Sequence, residues 1–164
     1  MPVGRVSSLL HTSREPGAGT YVFLGAPARG ADGENAVPEA PVILVVEDDP
    51  LLQGLLEDAL TTGGFEVVFV TSSEKAMDLL RRGDVKCSAL ATDIHLREEM
   101  NGWQLAVVAR QMDANLPVVY MTAASGGEWA SQGVPNSILL QKPFASAQLV
   151  TAVSQLLNKG SSPS

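Results

Sequence analysis

Apolar residues in this chain follow two patterns that alternate along its length. Short, nearly unbroken apolar runs occur at 42–46 (VILVV), 66–70 (EVVFV), 88–92 (SALAT), 117–121 (PVVYM) and 137–141 (SILLQ). Runs that are apolar at consecutive positions predict strands buried on both faces. Between them the apolar spacing changes to three and four. Leu51, Leu52, Leu55, Leu56, Ala59 and Leu60 share one helical face, which stops at Gly63-Gly64. "TSSE", Thr71 to Glu74, has capping-box spacing and opens a helix carrying Ala76, Met77, Leu79 and Leu80. "GWQLAVVARQM" presents Leu105, Val108, Ala109 and Met112, and "SAQLVTAVSQLLN" presents Leu149, Val150, Val153, Leu156 and Leu157. A fourth helical stretch, "SGGEWASQG", is short and interrupted by glycine. Strands alternating with helices in this way predict an α/β fold, (βα)5, with a parallel sheet flanked by helices.

The pattern begins near residue 41. Before it, "GAPARGADGENAVPEAP" is rich in Gly, Pro and Ala without apolar periodicity, which predicts a flexible N-terminal extension or linker over 1–40. One domain over 41–158 and a disordered tail over 159–164 complete the expected organisation, in a chain of 164 residues. Apolar residues make up 45%, enough for a core. No run approaches the roughly 18–20 apolar residues of a membrane-spanning helix, and the first residues lack a signal-peptide core. The one cysteine, Cys87, excludes an internal disulfide and a cysteine-based zinc site and reads as a small buried hydrophobe. Eighteen acidic against eleven basic residues, with pI near 4.7, argue against a nucleic-acid surface. A cytoplasmic, acidic domain is the expectation.

In a doubly wound parallel sheet, ligands bind at the carboxyl ends of the strands, where the strand order reverses. The residues that follow the apolar runs are therefore the informative ones. Glu47, Asp48 and Asp49 follow the first run, Asp93 the third, Thr122 the fourth and Lys142 the fifth. Each has an ordinary explanation: acids and threonines cap helices, and Lys-Pro makes turns. Together they form a set with chemical meaning. Carboxylates bind Mg2+, an ionised Asp can become an acyl phosphate, and a lysine can neutralise charge on phosphoryl oxygens. That set points to phosphoryl transfer. An Asp-x-Asp nucleophile after the first strand, as an aspartyl-phosphate hydrolase would require, is absent from "EDDP".

Over about residues 41–158 these residues resemble the receiver domain of two-component response regulators, of which the chemotaxis response regulator is one. The resemblance implies a flavodoxin-like doubly wound fold with five parallel strands in the order 2-1-3-4-5. It implies that Asp93 accepts a phosphoryl group from a sensor histidine kinase or histidine phosphotransfer protein, with Mg2+. It implies metal contacts from Asp48 directly, Glu47 through water, Asp93, and the backbone carbonyl of His95. Thr122 and Lys142 would contact the phosphoryl group, and Lys142-Pro143 would be a cis peptide. Asp49, one place beyond the acidic pair, is left as a helix cap. Only about six residues follow the last helical stretch, so signalling to a downstream protein partner by protein–protein contacts is expected, with no nucleic-acid, membrane or enzymatic output. Kinase activity is not expected.

The chain departs from the family pattern in several places. The loop "DIHLREEMNGW" is one residue longer than the common spacing, with Arg97 near the place of a frequent Pro. The segment from Thr122 to Lys142 is shortened, which predicts a weak fourth helix. Leu139 replaces the aromatic residue that swings inward in many members, which keeps a phosphorylation-independent binding module as an alternative. "EPGAGTYVFLGAP", Glu15 to Pro27, is similar to the closing strand of a histidine-kinase ATP-binding domain. A C-terminal receiver fragment of a hybrid kinase is therefore a second alternative. Trp103 and Trp129 read as packing or rim residues, and Arg81-Arg82 as a solvated helix end.

Overall fold

A computed structural model describes residues 22–24, 39–97, 99–124 and 126–161. Their elements run β1 (Val22–Leu24), β2 (Val42–Val46), α1 (Pro50–Thr62), β3 (Glu66–Val70), α2 (Ser73–Arg82), β4 (Ala89–Asp93), α3 (Gly102–Met112), β5 (Val118–Thr122), α4 (Trp129–Gln132), β6 (Ser137–Gln141) and α5 (Ser146–Ser161). A single 3-10 turn, Gly126–Glu128, leads into α4. The sheet order is β1-β3-β2-β4-β5-β6. Strands β2 to β6 are mutually parallel; counted by themselves they give the order 2-1-3-4-5 expected of a flavodoxin-like receiver.

The sixth strand corrects one expectation. Val22–Leu24, within the segment read as a flexible linker, pairs antiparallel with β3, Val22 opposite Phe69 and Leu24 opposite Val67. The short apolar run Tyr21 to Leu24 resembles a strand in the sequence, but a run of this length has no periodicity of its own, and the partner it takes is the open edge of β3. The rest of the extension lies outside the described residues. At the other end, α5 runs to Ser161, so the tail expected from 159 begins as helix.

Two further expectations shift by a residue. β4 ends on Asp93 and β5 on Thr122, so both side chains belong to their strands rather than to the loops beyond. The cap of α2 is Ser72, whose hydroxyl accepts from the Lys75 N–H at 3.1 Å, not Thr71. The extended backbone of Ser72 places its side chain over the first turn, the geometry a capping hydroxyl needs.

Strand parity divides the core. Ile43 and Val45 of β2 and Val67 and Phe69 of β3 pack with Leu56 and Leu60 of α1 and Leu149, Val153 and Leu156 of α5. Leu44 and Val46, with Val68 and Val70, face Ala76 and Met77 of α2 and Trp103, Leu105 and Ala109 of α3. Each fully buried Leu contributes about 1.5–3 kcal/mol. The apolar stripe of α1 is wider than its buried face: Leu51 and Leu55 are 76% and 58% exposed, because the sheet meets only the side carrying Leu56 and Leu60. Met112, at the end of α3, is likewise exposed. The fourth helix is a single turn, as the short Thr122–Lys142 segment predicts.

Candidate functional site

The chain runs from β2 outward to β3 and then returns to β4 on the other side of β2. The connections after β2 and β4 therefore diverge, and a crevice opens at the carboxyl ends of these two strands. Glu47 and Asp48 follow β2, and Asp93 ends β4. Each offers a carboxylate oxygen, and the three oxygens lie within 4.8 Å of one another. Glu47 and Asp93 are buried, and Asp48 is half-buried.

Local structure holds each residue in place. The Glu47 N–H continues the ladder by donating to Val70 O at 3.1 Å, and its carbonyl accepts from the Gln53 side chain. The Asp49 N–H donates to Glu47 Oε2 at 3.0 Å, while Asp49 Oδ1 accepts from the Leu51 N–H at 2.9 Å. Asp49 thus caps α1 ahead of Pro50, as the sequence suggests, and turns outward from the crevice chemistry. The His95 N–H donates to Asp93 Oδ1 at 3.1 Å, while the His95 residue itself is exposed.

Lys142 reaches in from the far side of the sheet. Its Nζ donates to Glu47 Oε1 at 2.9 Å and to Asp93 Oδ2 at 3.0 Å. The Lys142 N–H donates to Thr122 O at 2.7 Å, extending the β5–β6 pairing by one residue and fixing the lysine beside Thr122. The Lys142-Pro143 peptide is cis, as the resemblance implies. Thr122 is buried, and its Oγ1 accepts from the Ala124 N–H at 3.0 Å. Leu139 is half-buried and packs against the core.

The electrostatics favour a cation. Burial raises the Glu47 carboxyl above the ordinary range, and the Asp93 carboxylate adds to the rise; Lys142 and the Asp49 N–H offset it only in part. Burial pulls Lys142 the other way, but the Glu47 and Asp93 carboxylates outweigh it and hold the ammonium above its ordinary value. Both groups keep their protons more tightly than in water. The donor set is hard carboxylate oxygen, with one member open to solvent, and it suits Mg2+.

Two further residues border the site, and their contacts with it are visible only in the structure. A Cβ on Gly102 would overlap the Asp93 carbonyl oxygen and crowd Ile94 Cα, so the first residue of α3 can only be glycine if β4 is to end where it does. The Gly102 N–H donates to Ile94 O at 2.9 Å across that contact. The other is Arg97, whose Nε lies 3.3 Å from Asp48 Oδ2. Its departure from the family pattern is visible in the sequence, but its partner is not.

A doubly wound sheet with an acidic crevice at its switch point and a lysine across it defines a receiver-type α/β domain. Residues 43–154 match the model of the response regulator receiver domain, and the chain belongs to that family. The chain is similar to a response regulator receiver protein from Sinorhizobium medicae, known by crystal structure, with 48% identity and a TM-score of 0.70, covering 73% of this chain and 96% of that one. It is also similar to the receiver domain of a sensor histidine kinase from Pseudomonas aeruginosa, with 25% identity, a TM-score of 0.63, and coverage of 73% and 98%; that crystal structure has a magnesium ion coordinated in its active site cleft. Among curated proteins it is 34% identical over 118 residues to the response regulator protein FleR of P. aeruginosa, covering 71% of this chain and 24% of FleR. The chain thus spans a minor part of that regulator's length. No helix among the described residues is long and apolar enough to cross a membrane.

Proposed function

We propose that Asp93 is the phosphoryl acceptor of a two-component phosphorelay, served by a sensor histidine kinase or a histidine phosphotransfer protein. One observation carries the reading: Glu47, Asp48 and Asp93 converge within 4.8 Å while Lys142 Nζ bridges two of them. A carboxylate oxygen of Asp93 attacks phosphorus; the P–N bond of the donor's phosphohistidine breaks, its electron pair stays on the imidazole, and a P–O bond forms. Glu47 and Asp48, with Asp93 and the His95 carbonyl, would hold Mg2+, which when bound supplies positive charge beside the transferring oxygens. Lys142 neutralises charge from the opposite side, and Thr122 Oγ1, at the adjacent strand end, would bond the new phosphoryl group. Water later attacks phosphorus and releases inorganic phosphate, restoring the carboxylate. The protein assists its own modification and turns over no other substrate. Signalling proceeds through contacts with a downstream protein.

The test is intact-mass analysis after incubation with acetyl phosphate and Mg2+. Wild type should gain one phosphoryl group and Asp93→Ala none. Equal addition to both proteins would refute the assignment, and no addition to either would leave the alternative in which the fold serves as a phosphorylation-independent binding module. Leu139 in the place of the usual aromatic residue is the feature that favours that alternative.

A further inference from the structure

We infer that Arg97 is a positioning residue that competes with Mg2+ for Asp48 and sets the metal affinity of the site. The inference rests on the metal-assisted reading above. Two of the three carboxylates are already engaged by Lys142, which holds Glu47 Oε1 at 2.9 Å and Asp93 Oδ2 at 3.0 Å. Asp48 has neither bond, and its salt-bridge partner is Arg97, 3.3 Å away. Asp48 is also the carboxylate most open to solvent, at 32% of its side chain. It is therefore the ligand that an entering cation meets first, and Arg97 stands at that entrance.

The loop keeps Arg97 there. Ile94 and Leu96, on either side of His95, are buried in the core, and the His95 N–H is bonded to Asp93 Oδ1. The backbone is thus anchored one residue before Arg97, while the arginine side chain itself is 89% exposed. A guanidinium so placed has two effects on a metal ion. It pairs with one of the two oxygens of the carboxylate that would meet the ion, and its charge repels a dication within the same crevice. Because the side chain is exposed, it can swing into water when displaced, so it weakens binding without blocking it. The site holds three carboxylates against Lys142 and Arg97; loss of Arg97 leaves the lysine as the sole cation of this cluster among the described residues.

Calorimetric titration of the full chain with MgCl2 tests this. Arg97→Gln keeps length and hydrogen-bonding capacity but removes the charge, and should lower the Mg2+ Kd about three- to fivefold, the range expected of an exposed ion pair. Arg97→Lys should stay within about twofold of wild type, since it keeps the charge. The gap between wild type and Arg97→Gln should shrink in about 0.5 M KCl, where exposed charges are screened. Measurable but equal affinities for wild type and Arg97→Gln, or weaker binding by the variant, overturn the inference and leave the proposed function standing. A gap that persists unchanged in high salt, with Arg97→Lys behaving as Arg97→Gln, also overturns it. Absence of Mg2+ binding by both wild type and Arg97→Gln overturns the metal-assisted reading and this inference together.

Discussion

Lys142 and Asp93 are 49 residues apart in the chain and meet at 3.0 Å, Nζ to Oδ2. The same ammonium holds Glu47 at 2.9 Å, so one side chain from the end of β6 ties together the ends of β2 and β4. Removing it leaves two buried carboxylates facing each other. Lys142→Ala should destabilise the metal-free protein by about 2–3 kcal/mol, somewhat less than for a fully buried pair because the lysine retains some exposure. The sign of its pH dependence follows from its raised pKa: the lysine's contribution is complete below its ordinary value of 10.5 and is lost as pH rises through the higher folded value. Urea unfolding of wild type and variant at neutral and alkaline pH measures both effects. Equal stabilities at neutral pH would refute the bridging role.

Gly102 supports the acceptor from behind. Gly102→Ala places a methyl group against the Asp93 carbonyl and the Ile94 backbone, neither of which is a flexible side-chain end. A loss of about 1–3 kcal/mol is expected from this overpacking. Phosphorylation by acetyl phosphate should slow as well, since β4 must shift to relieve the contact. Thermal unfolding and the rate of mass gain, measured on the same samples, check the prediction. An alanine variant matching wild type in both would contradict it.

Tyr120 is a fully buried residue of the interior strand β5, with its ring 4.6 Å from that of Trp103 and its hydroxyl accepting from the Val134 N–H at 3.0 Å. That bond ties the segment after α4 to the sheet. Tyr120→Phe keeps the ring packing but leaves a buried N–H without its acceptor, at a cost of about 1–3 kcal/mol. Hydrogen exchange at Val134 should accelerate in the variant, whereas exchange within β2 should follow only the global change. Unaltered protection at Val134 would show that the bond carries no weight.

Cys87 is half-buried rather than fully buried, and its packing against the core pushes the thiol up to about 11. At about pH 8 its thiolate fraction is then on the order of one in a thousand, and alkylation by iodoacetamide should be far slower than in the urea-unfolded chain. A raised acid pKa means that the neutral thiol is favoured by the fold. Its contribution to stability is present below 9.0 and is lost as pH rises through about 11. Rates of alkylation between neutral pH and about pH 10 follow the thiolate; a rapid reaction at neutral pH would refute the burial argument.

Much of this architecture is legible in the sequence because the two periodicities are physical. Val42–Val46, Glu66–Val70 and Ser137–Gln141 form strands at the residues the apolar runs mark. A strand buried on both faces can hardly be apolar at fewer positions. The boundaries at Asp93 and Thr122 were less clear, since polar residues that end a strand look like the start of a loop until the neighbouring strand is seen to pair with them. Leu51 and Leu55 carry the helical spacing of a core face, yet the area of the sheet decides how much of that face is covered.

The sequence by itself determined the alternation of strands and helices, the acidic step after β2, and the Asp, Thr and Lys at later strand ends, because local spacing and composition act over a few residues. Tertiary structure decided how closely Glu47, Asp48 and Asp93 share one crevice and how Lys142 closes it, and it alone decided that Gly102 is the contact behind Asp93 and that Arg97 faces Asp48. It also decided that Val22–Leu24 seals the β3 edge. These are relations between distant segments, set by the order of strands in the sheet and by the packing of backbone against backbone, and no local pattern encodes them.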